Sequence, residues 1–141
     1  ELTTEGGLDV AASKKKIADV ILKLQEKGVL VSLFIDPIEK QIQAARQAGA
    51  DYIELHTGSY ANKNGKARQL ELKRLKNAAQ LAHSLGLGVN AGHGLNYQNV
   101  SAVARLPYIE ELNIGHSIIS RAIFSGLQSA VQQMNRLIQN A

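Results

Sequence analysis

Two short runs, GVNAGHGL at Gly88 to Leu95 and ELNIGHSI at Glu111 to Ile118, share one outline: an apolar stretch, then Asn, one residue, Gly and His, then a helical pattern. Of the four histidines, His56, His93 and His116 all stand where an apolar run ends. A histidine titrates near neutrality, so one placed at such an exit can take or give a proton during a reaction. His93 lies between Gly92 and Gly94 with no bulky neighbour in sequence and is the candidate general acid or base, against the plainer reading of a packed or orienting ring. Glycine beside a helix start has two readings. It is a turn residue, or it lets backbone N–H groups converge on an anion at the positive end of the helix. Gly94, Gly115 and the backbone of His116 are the candidates for the second. Glu54, in the run Tyr52–Ile53–Glu54–Leu55, must find a partner, and either a cation across the fold or a ligand would serve. His56 is expected to face away from the side Glu54 occupies and to serve structure, and mid-helix His83 to serve packing. A metal site built from His56, His93, His116 and Glu54 has no compact H-x-x-x-H or H-E-x-x-H spacing to support it.

These residues need strands that end together. Ile17, Val20, Ile21 and Leu24 form a helical stripe stopped near Gly28, with Asp9 as opener of the helix. VLVSLFID, nearly continuous and rich in branched residues, reads as a strand covered on both faces. Asp36, Pro37 and Glu39 have the spacing of a capping box opening a helix that ends at Gly49. The cycle repeats with DYIELHTG as strand, SYANKNGK as loop, a long helix to Gly86 and LGVNAG as strand. A short helix from about Asn96 to Pro107, the strand EELNIG, and one helix opened by Ser117 and running along Ile119, Ile123, Leu127, Val131, Met134 and Ile138 complete the chain.

Alternation of this kind predicts right-handed parallel units, with about four strands and five helices. Two closures compete: an open doubly wound sheet, or half of a (β/α)8 TIM barrel, which needs about 250 residues in full. No G-x-G-x-x-G turn follows the first strand to favour the former. In a barrel the strand exits meet at one mouth, where substrates bind, and the exits of the last two strands are a common phosphate site. If Asn90 with Gly92, and Asn113 with Gly115, face the axis, each glycine leaves space there for a ligand.

The chain has 141 residues, 45% hydrophobic and 20% charged, which suits a single domain spanning 1–141. No apolar run approaches the roughly 20 residues of a membrane span, and ELTTEGGLDV lacks the character of a signal peptide, so no membrane partner and a cytoplasmic location are expected. Cysteine is absent, which removes disulfides, thiolate nucleophiles and thiolate metal sites. The net charge of +4 is spread along the chain, and the run Lys14–Lys16 reads as a solvated face. With aromatics at 4%, no nucleic-acid partner is expected; small anionic substrates fit the charge.

Taken together, TTEGGLDV (Thr3 to Val10), VSLFID (Val31 to Asp36), IELHTG (Ile53 to Gly58), VNAGHGLNY (Val89 to Tyr97) and ELNIGHSII (Glu111 to Ile119) resemble, in order and spacing, the second half of the pyridoxine 5'-phosphate synthase family. The resemblance implies a TIM-barrel transferase of vitamin B6 biosynthesis. It would condense 1-deoxy-D-xylulose 5-phosphate with 3-amino-1-hydroxyacetone 1-phosphate to pyridoxine 5'-phosphate, inorganic phosphate and water, with no redox cofactor or catalytic metal. It implies a ligand contact at Thr3, a catalytic carboxylate at Glu54, proton transfer by His93, and phosphate contacts at Gly94, Gly115 and His116. It also implies a homo-oligomer. The family's remaining catalytic groups belong to an N-terminal half that does not precede Glu1, so this chain alone is expected to be inactive and to pair with that half or with a copy of itself. The competing expectations are another phosphate-binding barrel aldolase or isomerase, which a lysine at a strand end would favour, and a non-catalytic half-barrel assembly unit.

Overall fold

The computed structural model describes residues 6–141. In chain order the elements are α1 (Val10–Gln25), β1 (Ser32–Ile35), α2 (Glu39–Ala48), β2 (Tyr52–His56), α3 (Gly58–Asn62), α4 (Gly65–Ser84), β3 (Gly88–Gly92), α5 (Val100–Ala104), β4 (Glu111–Asn113), α6 (His116–Ser125) and α7 (Leu127–Gln139). The strands form one sheet in the order β1-β2-β3-β4, every pair parallel, with Phe34 beside Glu54 and Glu54 beside Asn90. An order that never reverses has no switch point, so the doubly wound alternative is not seen. The sheet is in keeping with half of a (β/α)8 barrel.

The two-residue period of the strands sorts their side chains. Leu33, Ile35, Ile53, Leu55, Val89 and Ala91 are buried on one face, packed with Ile42 and Ala45 of α2 and Leu75, Ala79 and Ala82 of α4. On the other face Phe34, Tyr52, Glu54 and Asn90 are only half-buried, and Glu111 and Asn113 are exposed. The expectation that β1 would be covered on both faces therefore fails. Helices cover one face, and the other is largely polar. Gly88 has no Cβ because the Tyr52 ring lies across it; an added Cβ would stand 2.2 Å from Tyr52 Cδ1.

Among the described residues seven helices are found where five are expected. SYANKNGK is not all loop, since α3 occupies its start. The long last helix is broken at Gly126, whose φ of 77° and ψ of 148° lie outside helical space. The apolar stripe splits accordingly: Ala130 and Met134 of α7 are buried, whereas Ile123 and Phe124 of α6 are 79% and 92% exposed. In α1 the stripe is half used, with Ile21 buried and Val20 and Leu24 exposed. The Asp9 cap forms as read, its carboxylate accepting from Ala12 N. The capping box does not: α2 starts at Glu39 with Ile38 at its N-cap, and the Asp36 carboxylate is used elsewhere. Lys14, Lys15 and Lys16 are exposed along α1. No helix among the described residues is long and apolar enough to cross a membrane.

Ile53 is 0% exposed at the centre of the packed face and Leu70 is 68% exposed on α4. Ile53→Ala should lower stability by about 2–5 kcal/mol. Leu70→Ala should stay within about 0.5 kcal/mol of the parent. Urea unfolding of both variants checks the assignment of the core face, and equal losses would refute it.

Candidate functional site

The carboxyl ends of the strands open into a cleft of about 570 Å³. Its walls are Phe34 from β1, Glu54 from β2, His93 and Gly94 after β3, Asn113 of β4, and Gly115, His116 and Ser117 where α6 begins. Five of the six residues read as functional from sequence thus line one space. The sixth, Thr3, lies outside the described residues. The described part of its loop does run along the exit of β1, with Leu8 N donating to Phe34 O at 2.8 Å. Gly7 sits so close that an added Cβ would be 2.3 Å from Asp36 N.

Glu54 projects from β2 over β3. Its Oε1 lies where a Cβ of Gly92 would be, 2.2 Å from that point, and its Oε2 accepts from Asn113 Nδ2 at 2.8 Å. The space that Gly92 was expected to leave for a ligand is therefore filled by this carboxylate. At Gly115, by contrast, an added Cβ would find nothing within 4 Å, so that glycine does leave room. Glu54 has no Lys or Arg partner among the described residues. Burial holds its carboxyl above the ordinary range, with Glu111 adding to the rise, while the Asn113 bond and His56 oppose it.

His93 has a φ of 81° and Gly94 a φ of 74°, two successive residues in left-handed backbone. Glycine accepts this freely, whereas histidine is strained there and must be held. The turn is tied by Thr57, whose Oγ1 lies 2.6 Å from Gly92 O and 2.5 Å from His93 O. It is tied again by Asn99, which donates to Gly94 O at 3.1 Å and accepts from Asn96 N at 2.7 Å. Tyr60 closes the network by donating to Asn99 O at 2.7 Å. Burial, and then His56, depress the His93 pKa below its usual value.

His56 does not face away from Glu54. Two residues apart on one strand, they share a face, as the period requires. The His56 ring meets His93 edge to face at 4.9 Å and Phe34 at 5.1 Å. Its Nδ1 pairs with Asp36 Oδ1 at 2.8 Å, while Nε2 is buried without a partner. His83 lies apart from the cleft, stacked on Tyr108 at 4.0 Å, in the packing role read for it. Thr57, Asn99 and Tyr60 carry no local sequence signal of this network, and for His56 the alternation rule applied to Asn90 and Gly92 gives the correct face.

Gly115 caps α6 without a side-chain bond, so the first N–H groups of this 10-residue helix have no helical partners. The arrangement can hold an anion at the helix start and move a proton at Glu54 or His93 beside it. Among the described residues no three His, Asp or Glu side chains converge as a metal site.

The raised Glu54 pKa carries a stability consequence. The folded state binds this proton more tightly than the unfolded chain, so Glu54 opposes folding once the pH exceeds its ordinary value of 4.5, and not below. Glu54→Gln should therefore raise the urea midpoint at pH 7 relative to its effect at pH 4. A variant equally or more destabilised at pH 7 would contradict the burial of this carboxylate.

The sequence matches the family described as "Pyridoxal phosphate biosynthesis protein PdxJ" over residues 1–140. It is 57% identical over 142 residues to a pyridoxine 5'-phosphate synthase of Geobacter sulfurreducens, covering 100% of this chain and 59% of the relative. A synthase of the same name from Blochmanniella pennsylvanica is 58% identical, with 100% of this chain and 58% of the relative covered. One from Akkermansia muciniphila is 54% identical, with 98% and 56% covered. The chain thus spans well under two thirds of the length of these relatives. A match over nearly every residue places it beyond chance likeness: the chain belongs to the PdxJ family of pyridoxal phosphate biosynthesis proteins.

Proposed function

We propose that this chain is the C-terminal half of a TIM-barrel pyridoxine 5'-phosphate synthase, a transferase acting in the cytoplasm. Its substrates are 1-deoxy-D-xylulose 5-phosphate and 3-amino-1-hydroxyacetone 1-phosphate, its products pyridoxine 5'-phosphate, inorganic phosphate and water. The observation that carries the reading is the meeting, in one cleft, of a carboxyl raised by burial, an imidazole lowered by burial and a free helix start. Closing a pyridine ring from these substrates requires an imine and successive dehydrations, so protons must go on and off oxygen several times. A carboxyl and an imidazole moved toward each other in pKa suit that traffic.

In this reading His93 gives and takes the proton at the reacting oxygens. Glu54 faces the charge that develops as the ring closes. Gly94, Gly115 and the backbone N–H of His116 hold a substrate phosphate at the start of α6. Thr3 adds a ligand contact from the loop before α1. No lysine stands at a strand end to form a Schiff base, which weighs against an aldolase of that kind. The polar sheet face forms the lumen of the whole barrel, completed by an N-terminal half in an enzyme that assembles as a homo-oligomer. The exposed Ile123 and Phe124 fit a chain that takes partners.

The test is turnover of the two substrates, followed by chromatography of pyridoxine 5'-phosphate. The 141-residue chain alone should yield none, and the chain joined to an N-terminal half should be active. In the joined enzyme His93→Gln should lower kcat by about 10²–10⁴-fold. Turnover by the chain alone would overturn the need for a second half, and full activity of His93→Gln would overturn the role given to His93.

A further inference from the structure

Among the described residues of the cleft, His93 is the one non-glycine in left-handed backbone, so something must hold it there. The step from β2 into α3 does this with two adjacent residues that the proposed chemistry does not use. Thr57 is 0% exposed, and its side chain makes no cap bond to α3, although Thr57 occupies the N-cap position. The hydroxyl instead turns to β3 and lies 2.5 Å from the His93 carbonyl and 2.6 Å from that of Gly92, while Thr57 N donates to the same Gly92 oxygen at 2.8 Å. Gly58 then leaves a gap. A Cβ there would stand 2.5 Å from His56 Nε2 and 3.1 Å from His93 Cδ2. Both rings close on a place that any side chain would fill. Behind His56, Asp36 fixes its far nitrogen, so the His56 ring is a firm wall.

We propose that Thr57 and Gly58 are positioning residues for His93: the Thr57 hydroxyl holds the carbonyl of its strained backbone, and Gly58 opens the gap in which its ring lies against His56. The inference rests on reading His93 as the proton-transfer group, but its readout needs no turnover, so the two can fail separately. Helix capping, the ordinary use of a threonine at this place, is given up for a bond across to the next strand exit. Gly58 has no need of left-handed backbone, and only the close approach of the rings accounts for glycine there.

The experiment is a histidine NMR titration of the 141-residue chain, the His93 signal being assigned by its loss in His93→Gln. The titratable groups around His93 are His56 on β2 with Asp36 behind it, and Glu54 and His116 across the cleft. Thr57→Val keeps the shape and removes the hydroxyl. Freed from its half-buried place against His56, His93 should titrate at higher pH, toward an exposed histidine, while Thr57→Ser should retain the parent midpoint. Gly58→Ala should move the midpoint in the same upward direction by forcing the rings apart. A Thr57→Val chain that melts cooperatively at lower temperature with the His93 midpoint unchanged would reduce Thr57 to a structural role and overturn the proposal. If that variant does not fold, Gly58→Ala and Thr57→Ser decide. An unmoved midpoint in the first, or a raised one in the second, overturns it.

Discussion

Three strands are joined at the mouth of the sheet by one carboxylate. Glu54 starts on β2, crosses β3 where Gly92 has no side chain, and bonds to Asn113 on β4. The crossing is possible only because β3 presents glycine at that register, and it is directed only because Asn113 offers an amide donor opposite. An ionised carboxylate here gives up part of its hydration and receives one hydrogen bond in return, which is why its proton is held more tightly than in water. The rest of the site is arranged around this reach. His93 leaves the strand one residue after the glycine, and the free start of α6 follows Asn113 by three.

Rigidity at the mouth comes from carbonyl groups that have lost their place in a regular ladder. Beyond the end of β3 the backbone turns left-handed, so the oxygens of Gly92, His93 and Gly94 must find donors outside the strand. They find them in Thr57 and Asn99, both buried, and Asn99 is in turn bound through its own carbonyl by Tyr60. The bonds run from β2 and α3 to the loop before α5, so one loop is gripped from two sides. Ser117 of α6 donates to Leu95 O at 2.8 Å and carries the same connection to the helix start. The His93 ring and the start of α6 are thus fixed relative to one another by backbone rather than by direct contact.

How much of this was legible follows from the range of the forces involved. Strands, their order and the clustering of exits follow from periodicity and local punctuation, which neighbouring residues carry. Asp36 shows the limit. Its spacing to Glu39 suits a local cap, yet the carboxylate pairs with His56 on the next strand, a partner twenty residues away in sequence. Gly126 shows another: the apolar residues on either side continue one helical stripe, and nothing local says that α7 must turn away to bury Met134. Thr57 shows a third: a threonine before a helix has a ready local use as a cap, and its actual use depends on a strained turn one strand away.

The polarity of the open sheet face answers the question raised by the apolar run of β1. Strands covered on both sides by helices read as continuous hydrophobic segments. Here β2 alternates Tyr, Ile, Glu, Leu, His, and β3 places Gly, Asn and Gly on the side away from the helices. Such residues contribute little to a dry core, and Glu54, Asn90 and Glu111, in register on β2, β3 and β4, would be costly if an apolar layer lay on top. This polar face carries Tyr52 and Gly88 at one end and opens into the cleft of Glu54 and His93 at the other. A sheet built this way draws its stability from the helix side and leaves polar and charged groups on the second side.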